Sequence, residues 1–482
     1  MFFKLFKRII YSITSSGMKD CSFKDLDLFL LYLTIRSRLN YYYSLVFRDE
    51  FIEEEILRLA KEVPLISIDD KKYFYDFALY DAYGLDSMGL TEQYIRGLTD
   101  ARIEFLYIFD GKVIGKKIKA FLEEKNIKIL DLSKYKSSHK KLDKLKSFSV
   151  KNLLVHTSPE GVLPFLIKNI LGVTKTFIID LTDHEYWSGI DSVDHFLEFR
   201  KYGAFIKKEG RKSNQSAVSI IPFYPITYDG DLMSPIISKE ALPEKYFFSA
   251  SNISKIVDKD NTFLNLVKIL LDKLPDYAFV FAFTGDGKFV KNFFDKSYIS
   301  RLNLLGHVDN IEPYVKNADF LLNTYPYGGG LVGSYAIKNS IPIFSLVNHD
   351  IKHSHPTNTF AGINDFQQSS NREELVHTIQ NYLNGSLEIS QDIENARTLL
   401  GSRSKFSSLL VKSLKEKPDI DILDLKYSLD NISQSQQKVS RLAAKKSKAF
   451  AKTVISCSYR SKYFLNYRVA ILCIIAVCIS YT

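Results

Sequence analysis

At 482 residues, with 46% hydrophobic and 25% charged side chains, the chain exceeds one hydrophobic core and is too apolar for disorder, so two domains with appendages are expected. After Asp430 there is no acidic residue, while Lys438, Arg441, Lys445, Lys446, Lys448, Lys452, Arg460, Lys462 and Arg468 take up nearly all of the net charge of +10, leaving the first 430 residues with about one net positive charge. A nucleic-acid-binding body, with its broad basic face, is excluded by that distribution.

The first residues, Met1-Phe-Phe-Lys-Leu-Phe-Lys-Arg-Ile-Ile10, are basic and aromatic, but the apolar run is interrupted and no small-residue cleavage site follows, so they do not read as a signal peptide. Residues 1–50 are expected to form a helical extension. From 51 to 225 helices alternate with short apolar strands, the best of them at 102–109, 127–130, 152–156, 176–181 and 217–221, as in an open α/β domain. Within it the strand at 176–181 runs out through Phe177-Ile-Ile-Asp-Leu-Thr-Asp-His-Glu-Tyr-Trp-Ser-Gly-Ile190, followed by Asp194, Arg200 and Gly203. Strand ends at the carboxyl edge of such a sheet face ligands, so His184 is a candidate to take a proton from an attacking hydroxyl, with Asp183 or Glu185 orienting it. The competing reading is a histidine that only orders its loop. Trp187 suits either stacking on a ligand face or filling the core.

Residues 226–243 break into Pro, Tyr, Asp and Gly and are expected to link two domains. A second alternation occupies 244–415: strands at 246–250, 278–283, 302–305, 319–323 and 341–346, helices at 261–273, 311–316, 372–383 and 390–414. After the first of these strands come Ser251, Asn252 and Lys255. After the second comes Thr284-Gly285-Asp286-Gly287, and after the third Gly306-His307-Val308-Asp309. The fourth ends in Asn323-Thr-Tyr-Pro-Tyr-Gly-Gly-Gly330, a short helix containing Ser334, and then Asn339-Ser-Ile-Pro342. Three consecutive glycines let main-chain N–H groups approach a ligand without Cβ obstruction, and the helix after them offers its positive end to an anion such as a diphosphate.

This strand, glycine loop, helix and strand resemble the nucleotide-sugar loop of GT-B glycosyltransferases, particularly the branch of the O-linked N-acetylglucosamine transferases and bacterial adhesin-glycosylating enzymes. Ser340 stands where those families have Gly. The segment around His184 resembles an "A-D-H-x-F-W-x-G … D … R-x-x-G" stretch in the N-terminal halves of a group of bacterial cell-surface GT-B enzymes. The resemblance, over residues 150 to 410, implies an α/β GT-B fold of two Rossmann-like domains facing a cleft. It implies a donor site of Ser251, Asn252, Gly285, Asp286, His307, Asp309, Tyr325, Tyr327, Gly328, Gly329, Gly330, Ser334, Thr357 and Asn358. Lys255 would neutralise the diphosphate as it leaves, joining His184 and Asp183 in catalysis, and Trp187, Gly189 and Arg200 would lie on the acceptor side.

Retaining members of the fold carry a glutamate pair seven residues apart at the glycine loop. Residues 329–337 contain no acid, which points to an inverting displacement on a UDP-sugar, with a glycan or protein as acceptor. No metal or other cofactor is expected, the nucleotide-sugar being a co-substrate. Asp229-Gly-Asp231 has the letters of a metal-binding pair but falls in the linker, and His349, His353 and His355 lack partnering carboxylates or cysteines. Two other readings stand beside this one: a sugar-nucleotide epimerase of the same architecture, and a membrane-tethered binding or assembly protein with a degenerate GT-B body.

The basic tail, 416–482, runs into an apolar stretch at 469–479, too short for the roughly 20 residues of a spanning helix. Polybasic segment and apolar end together suit peripheral attachment to an anionic cytoplasmic leaflet, and a helix packed back on the globule is the alternative. Cys21, Cys457, Cys473 and Cys478 show no disulfide or zinc spacing, in keeping with a reducing cytoplasm.

Overall fold

In a computed structural model the described residues are 2–43, 46–86, 89–213, 215–226, 242–308, 310–349, 355–359, 367–416, 452, 454 and 467–481. They fall into two units, Met1–Ile221 with Ser407–Thr482, and Pro222–Phe406.

The first unit is built on seven strands, β1 (Tyr73–Asp81), β2 (Phe105–Phe109), β3 (Ile129–Asp131), β4 (Phe148–His156), β5 (Lys175–Ile179), β6 (His195–Glu198) and β7 (Ala217–Ile220). All pairs are parallel, in the order β3-β2-β1-β4-β5-β6-β7. Covered on both faces, such strands are apolar along their length, and β2 is buried throughout. Two strands of this unit escape the sequence reading. The outer half of β1, with Tyr73 and Phe74 exposed, mixes aromatics with Asp76, and β6 buries His195 and Glu198 among its apolar residues.

Helices α1 (Phe2–Asp20), α2 (Leu26–Tyr43) and α3 (Glu50–Glu62) belong to this unit's core. Residues 1–50 are therefore no appended extension. In α2 Phe29, Tyr32, Leu33, Ile35 and Leu39 are all buried, because a helix apolar on every face has to be enclosed. Its Arg36 forks onto Asp49, with Nε and Nη2 at 2.7 and 2.8 Å from the carboxylate oxygens.

The second unit repeats the plan with six parallel strands, β8 (Tyr246–Asn252), β9 (Ala278–Thr284), β10 (Leu302–Gly306), β11 (Phe320–Asn323), β12 (Ile343–Leu346) and β13 (Gln367–Ser369), ordered β10-β9-β8-β11-β12-β13. Phe247 of β8 stacks between Phe279 and Phe320, ring centroids 5.1 and 5.2 Å away, which ties the centre of the sheet together. In both units the order reverses beside the first strand, between β1 and β4 and between β8 and β11. Open α/β sheets bind ligands beyond the carboxyl ends of the strands at that reversal.

The single helix expected at 390–414 is two, Ser390–Leu399 and Arg403–Lys415. They part at Gly401, where a Cβ would lie 2.7 Å from the Phe223 carbonyl oxygen. The latter helix falls mainly in the first unit, where Ser407 Oγ donates to the Gly97 carbonyl at 3.1 Å. The stretch at 469–479 is likewise not a free end. It lies in the helix Tyr467–Tyr481, whose Val469, Leu472, Ile475 and Ala476 are buried in the first unit's core. Most of the linker, including Asp229 and Asp231, and most of the basic tail lie outside the described residues.

Candidate functional site

At the strand reversal of the second unit, β8 gives way to a turn of Ile253–Lys255 and β11 to the loop that leads into the helix Gly330–Lys338. The two are stitched together. Lys255 Nζ donates to the Gly328 carbonyl at 3.2 Å, and the Tyr327 N–H donates to the Lys255 carbonyl at 3.3 Å. Asn323, at the end of β11, accepts the Gly329 N–H on Oδ1 at 3.0 Å, and Thr324 Oγ1 donates to the Tyr327 carbonyl at 2.7 Å. These two side chains hold the loop and were not singled out from the sequence. The available signal was a polar pair between an apolar strand and turn residues.

The helix Gly330–Lys338 has no side-chain cap. The first N–H groups of a helix have no acceptor within it, so this end can receive an anion. Each glycine has its own reason. At Gly330 a Cβ would meet Thr359 Cγ2 at 2.7 Å and Phe223 Cζ at 3.0 Å. At Gly329 φ is −107° and the nearest atom would be 3.5 Å away. Neither conformation nor packing asks for glycine at 329, and the lack of a Cβ leaves its main chain open to close approach. Asn323, Gly328, Gly329, Gly330, Gly333, Pro356 and Thr359 line a small hollow here.

Asn252, exposed at the end of β8, accepts the Ser254 N–H at 2.9 Å and donates to Thr284 Oγ1 at 3.1 Å, which brings the ends of β8 and β9 together beside Gly285. Gly285 has φ +107°, a left-handed conformation that favours glycine. Ser251 Oγ donates to the Asn252 carbonyl at 3.1 Å, and Asp286 accepts the Lys288 N–H at 3.0 Å. His307 is exposed just beyond β10, and Tyr325 is partly buried against the second unit's core. Ser334 does not join the site: it is wholly buried and donates to the Leu331 carbonyl at 2.6 Å, back into its own helix. Asp309 and the side chains of Thr357 and Asn358 lie outside the described residues.

In the first unit the segment around His184 follows β5. Asp183 is fully buried and takes a forked pair of bonds from Arg200, with Nη2 at 2.7 Å. Burial pushes the Asp183 carboxyl up, but the Arg200 charge and its hydrogen bonds outweigh that and hold it well below the usual carboxylate range. His184 Nδ1 lies 3.1 Å from Asp183 Oδ1, with a quarter of its side chain exposed. A proton on Nδ1 shared with that carboxylate leaves the lone pair on Nε2.

The other residues of the motif are structural. Trp187, for which stacking on a sugar and filling the core are both open from the sequence, is wholly buried, and its Nε1 donates to the Thr182 carbonyl at 3.3 Å. Its bulk is taken up by the core. Gly189 stands at φ +79°, its N–H donating to Glu53 at 2.8 Å, and Arg200 is spent on Asp183. At Gly203 a Cβ would lie 2.0 Å from Glu198 Oε2. These acceptor-side candidates build the floor beneath His184 and do not present their side chains.

Two clusters were missed. Beneath the motif Arg211 pairs with Asp180 and donates to the Thr182 and Glu185 carbonyls at 3.1 and 2.9 Å, while burial, followed by the Asp180 charge, pushes Glu198 far above the ordinary carboxyl value. At the reversal between β1 and β4, Asp81 Oδ1 lies 3.0 Å from His156 Nδ1, and Tyr107 OH donates to Asp81 Oδ2 at 2.6 Å. His156 is fully buried, and its Nε2 has no partner among the described residues. The hydrogen bonds that knit both clusters together, Arg211 to Asp180, Thr182 and Glu185, and Asp81 to Tyr107 and His156, join residues 26 or more positions apart, so no local spacing announces them.

No protein-family model matches the chain, and no curated protein matches it. Solved structures do. Anabaena HepE, in complex with UDP-glucose, aligns over 70% of this chain and 98% of its own with a TM-score of 0.50 and 14% identity. A mutant of the Thermobaculum terrenum O-GlcNAc transferase aligns over 95% of this chain and 85% of its own (TM-score 0.48, 13% identity). A UDP-N-acetylglucosamine 2-epimerase aligns over 72% and 99% (TM-score 0.46, 10% identity).

Proposed function

Given a GT-B fold of two Rossmann-like units, we propose that the chain is a glycosyltransferase that moves a sugar from a UDP-sugar to a glycan or protein acceptor by inverting, metal-independent displacement. One observation carries the reading: Lys255 and the uncapped helix after Gly328, Gly329 and Gly330 meet at the strand reversal of the second unit. A cation and a helix N-terminus at one point suit a diphosphate. HepE, which shares the fold, was solved with UDP-glucose.

In the proposed reaction an acceptor hydroxyl oxygen bonds to the anomeric carbon while the bond from that carbon to the diphosphate oxygen breaks. The nucleotide leaves with the electron pair, and Lys255 with the helix N–H groups meets its growing charge, so the stabilisation is larger in the transition state than in the ground state. His184, oriented by Asp183, accepts the hydroxyl proton on Nε2. The absence of acid in residues 329–337 favours one displacement over two.

Calorimetry with UDP, GDP, CMP and their sugar conjugates, with and without EDTA, tests the donor site. UDP binding that survives EDTA and weakens in Lys255→Ala supports it; no nucleotide binding would overturn it in favour of an assembly protein. Conversion of a UDP-sugar to its epimer with no acceptor present would favour the epimerase.

A further inference from the structure

The helix Tyr467–Tyr481 has an apolar sequence around its whole circumference from Val469 to Ile479, a composition found where a helix is enclosed or lies in lipid. Enclosure accounts for half of it. Val469, Leu472, Ile475 and Ala476 are buried in the first unit's core, and Arg468 pairs at 2.6 Å with Asp20 at the end of α1. Of the other described side chains Cys473 packs partly against the same core, while Ile471 and Ile474 face outward, 40% and 64% exposed. Residues three apart share a helix face, so the two form one apolar strip.

We infer that this outer strip rests on the surface of an anionic phospholipid bilayer, with the helix lying in the plane of the interface. Charge argues for lipid over another occupant. The helix packs against α1, whose residues 2–19 contain Lys4, Lys7, Arg8 and Lys19 and no acid, and Arg8 and Lys19 are exposed. By sequence, the residues that lead into the helix from Lys438 onward carry cations only. A second copy of the same surface would bring cations against cations, whereas an anionic leaflet neutralises them. No helix among the described residues is long and apolar enough to cross a membrane, so contact is by one face. Because one side is already seated on α1, the helix cannot enter lipid without leaving the core.

The test is co-sedimentation of the full chain with phosphatidylcholine vesicles and with vesicles containing about a third phosphatidylglycerol, at low and high salt. Circular dichroism and UDP binding are followed alongside. The expected result is binding to the anionic vesicles only, reduced by salt, and lowered about tenfold or more in Ile471→Ser/Ile474→Ser. Those side chains point away from the core, so the variant should keep its fold, and UDP binding should be unchanged, which separates this surface from the donor site. Absence of binding to anionic vesicles overturns the inference, as does binding that the double variant leaves intact. A dimer in solution that the double variant converts to monomer would overturn it too, since a second copy would then cover the strip.

Discussion

Lys255 and Gly328 are joined by a hydrogen bond from Nζ to the main-chain carbonyl, 3.2 Å long, while the Lys255 carbonyl accepts the N–H of Tyr327. The cation is thus fixed against the loop by both its main chain and its side chain. Charge-assisted hydrogen bonds contribute roughly 1.5–3 kcal/mol, so Lys255→Ala is expected to weaken UDP binding by about ten-fold or more. Because the leaving diphosphate gains charge in the transition state, turnover should fall further, by about 10²–10³-fold. Calorimetry and steady-state kinetics on the same preparation separate the two; weakened binding with kcat unchanged would mean that Lys255 stabilises ground and transition state alike.

Gly329 and Gly330 should respond differently to one added methyl. At 330 the Cβ meets Thr359 and Phe223, and overpacking costs about 1–3 kcal/mol. At 329 a Cβ would make only ordinary van der Waals contact, 3.5 Å from Val332 Cγ2, and φ suits any residue, so Gly329→Ala should change stability by no more than about 0.5 kcal/mol yet weaken UDP binding. Urea midpoints with calorimetry decide it. Unchanged affinity in Gly329→Ala would place the diphosphate elsewhere.

Ser340 sits at φ +58°. It follows the helix Gly330–Lys338, and its N–H donates to the Ile337 carbonyl at 3.1 Å while Ile341 donates to Ala336 at 2.9 Å. This is a left-handed helix stop, where glycine is favoured. The serine that departs from the resembled pattern therefore carries a backbone cost and leaves the path of the chain intact. Ser340→Gly should raise stability by about 0.5–1 kcal/mol, the relief of the left-handed conformation less the entropy of glycine, read as a higher urea midpoint with unaltered UDP affinity.

Much of the second unit was legible because five of its six parallel strands are apolar runs that end in glycine or polar turns, whereas β13, Gln367-Gln-Ser369, is polar and escapes the sequence reading. Lys255 and the glycine loop could be placed in order from those endings alone. The first unit hid more. β1 begins in exposed aromatics, β6 buries a histidine and a glutamate, and α2, apolar on every face, carries the pattern of an enclosed helix that the reading of residues 1–50 as an extension overlooks. The motif near His184 was visible, but its letters did not separate use from support. Trp187, Gly189 and Arg200 prove to be what the loop is built on, and burial, which decides that, depends on residues distant in sequence. Asp81 with His156, and Asp180 with Arg211, are pairings of tertiary structure only.

His184 is the exposed member of its group, so its removal should touch chemistry more than folding. His184→Ala is expected to lower the rate by about 10²–10⁴-fold, the usual contribution of a general base, with UDP affinity unchanged because the proposed donor residues belong to the other unit. His156→Ala serves as the contrast. His156 is buried against Asp81, so the variant should lose stability through a broken internal pair. A rate unaffected in His184→Ala would remove it from the mechanism.

Asp183 and Arg200 bear on pH. Folding lowers the Asp183 carboxyl below its ordinary value through Arg200, so in the acid range the unfolded chain binds more protons at this group than the native protein. The resulting stability is complete above the unfolded value of about 4 and drains away as the pH falls below it, toward the lower folded value. Asp183→Asn leaves Arg200 buried without its counter-charge and should cost roughly 3–5 kcal/mol near neutral pH. Urea midpoints of wild type and variant should therefore lie far apart at pH 7 and still at pH 5, then converge below pH 4. A gap that persists undiminished into strong acid would mean that the pair contributes through shape and packing instead of charge, and that His184 does not depend on an ionised Asp183 for its orientation.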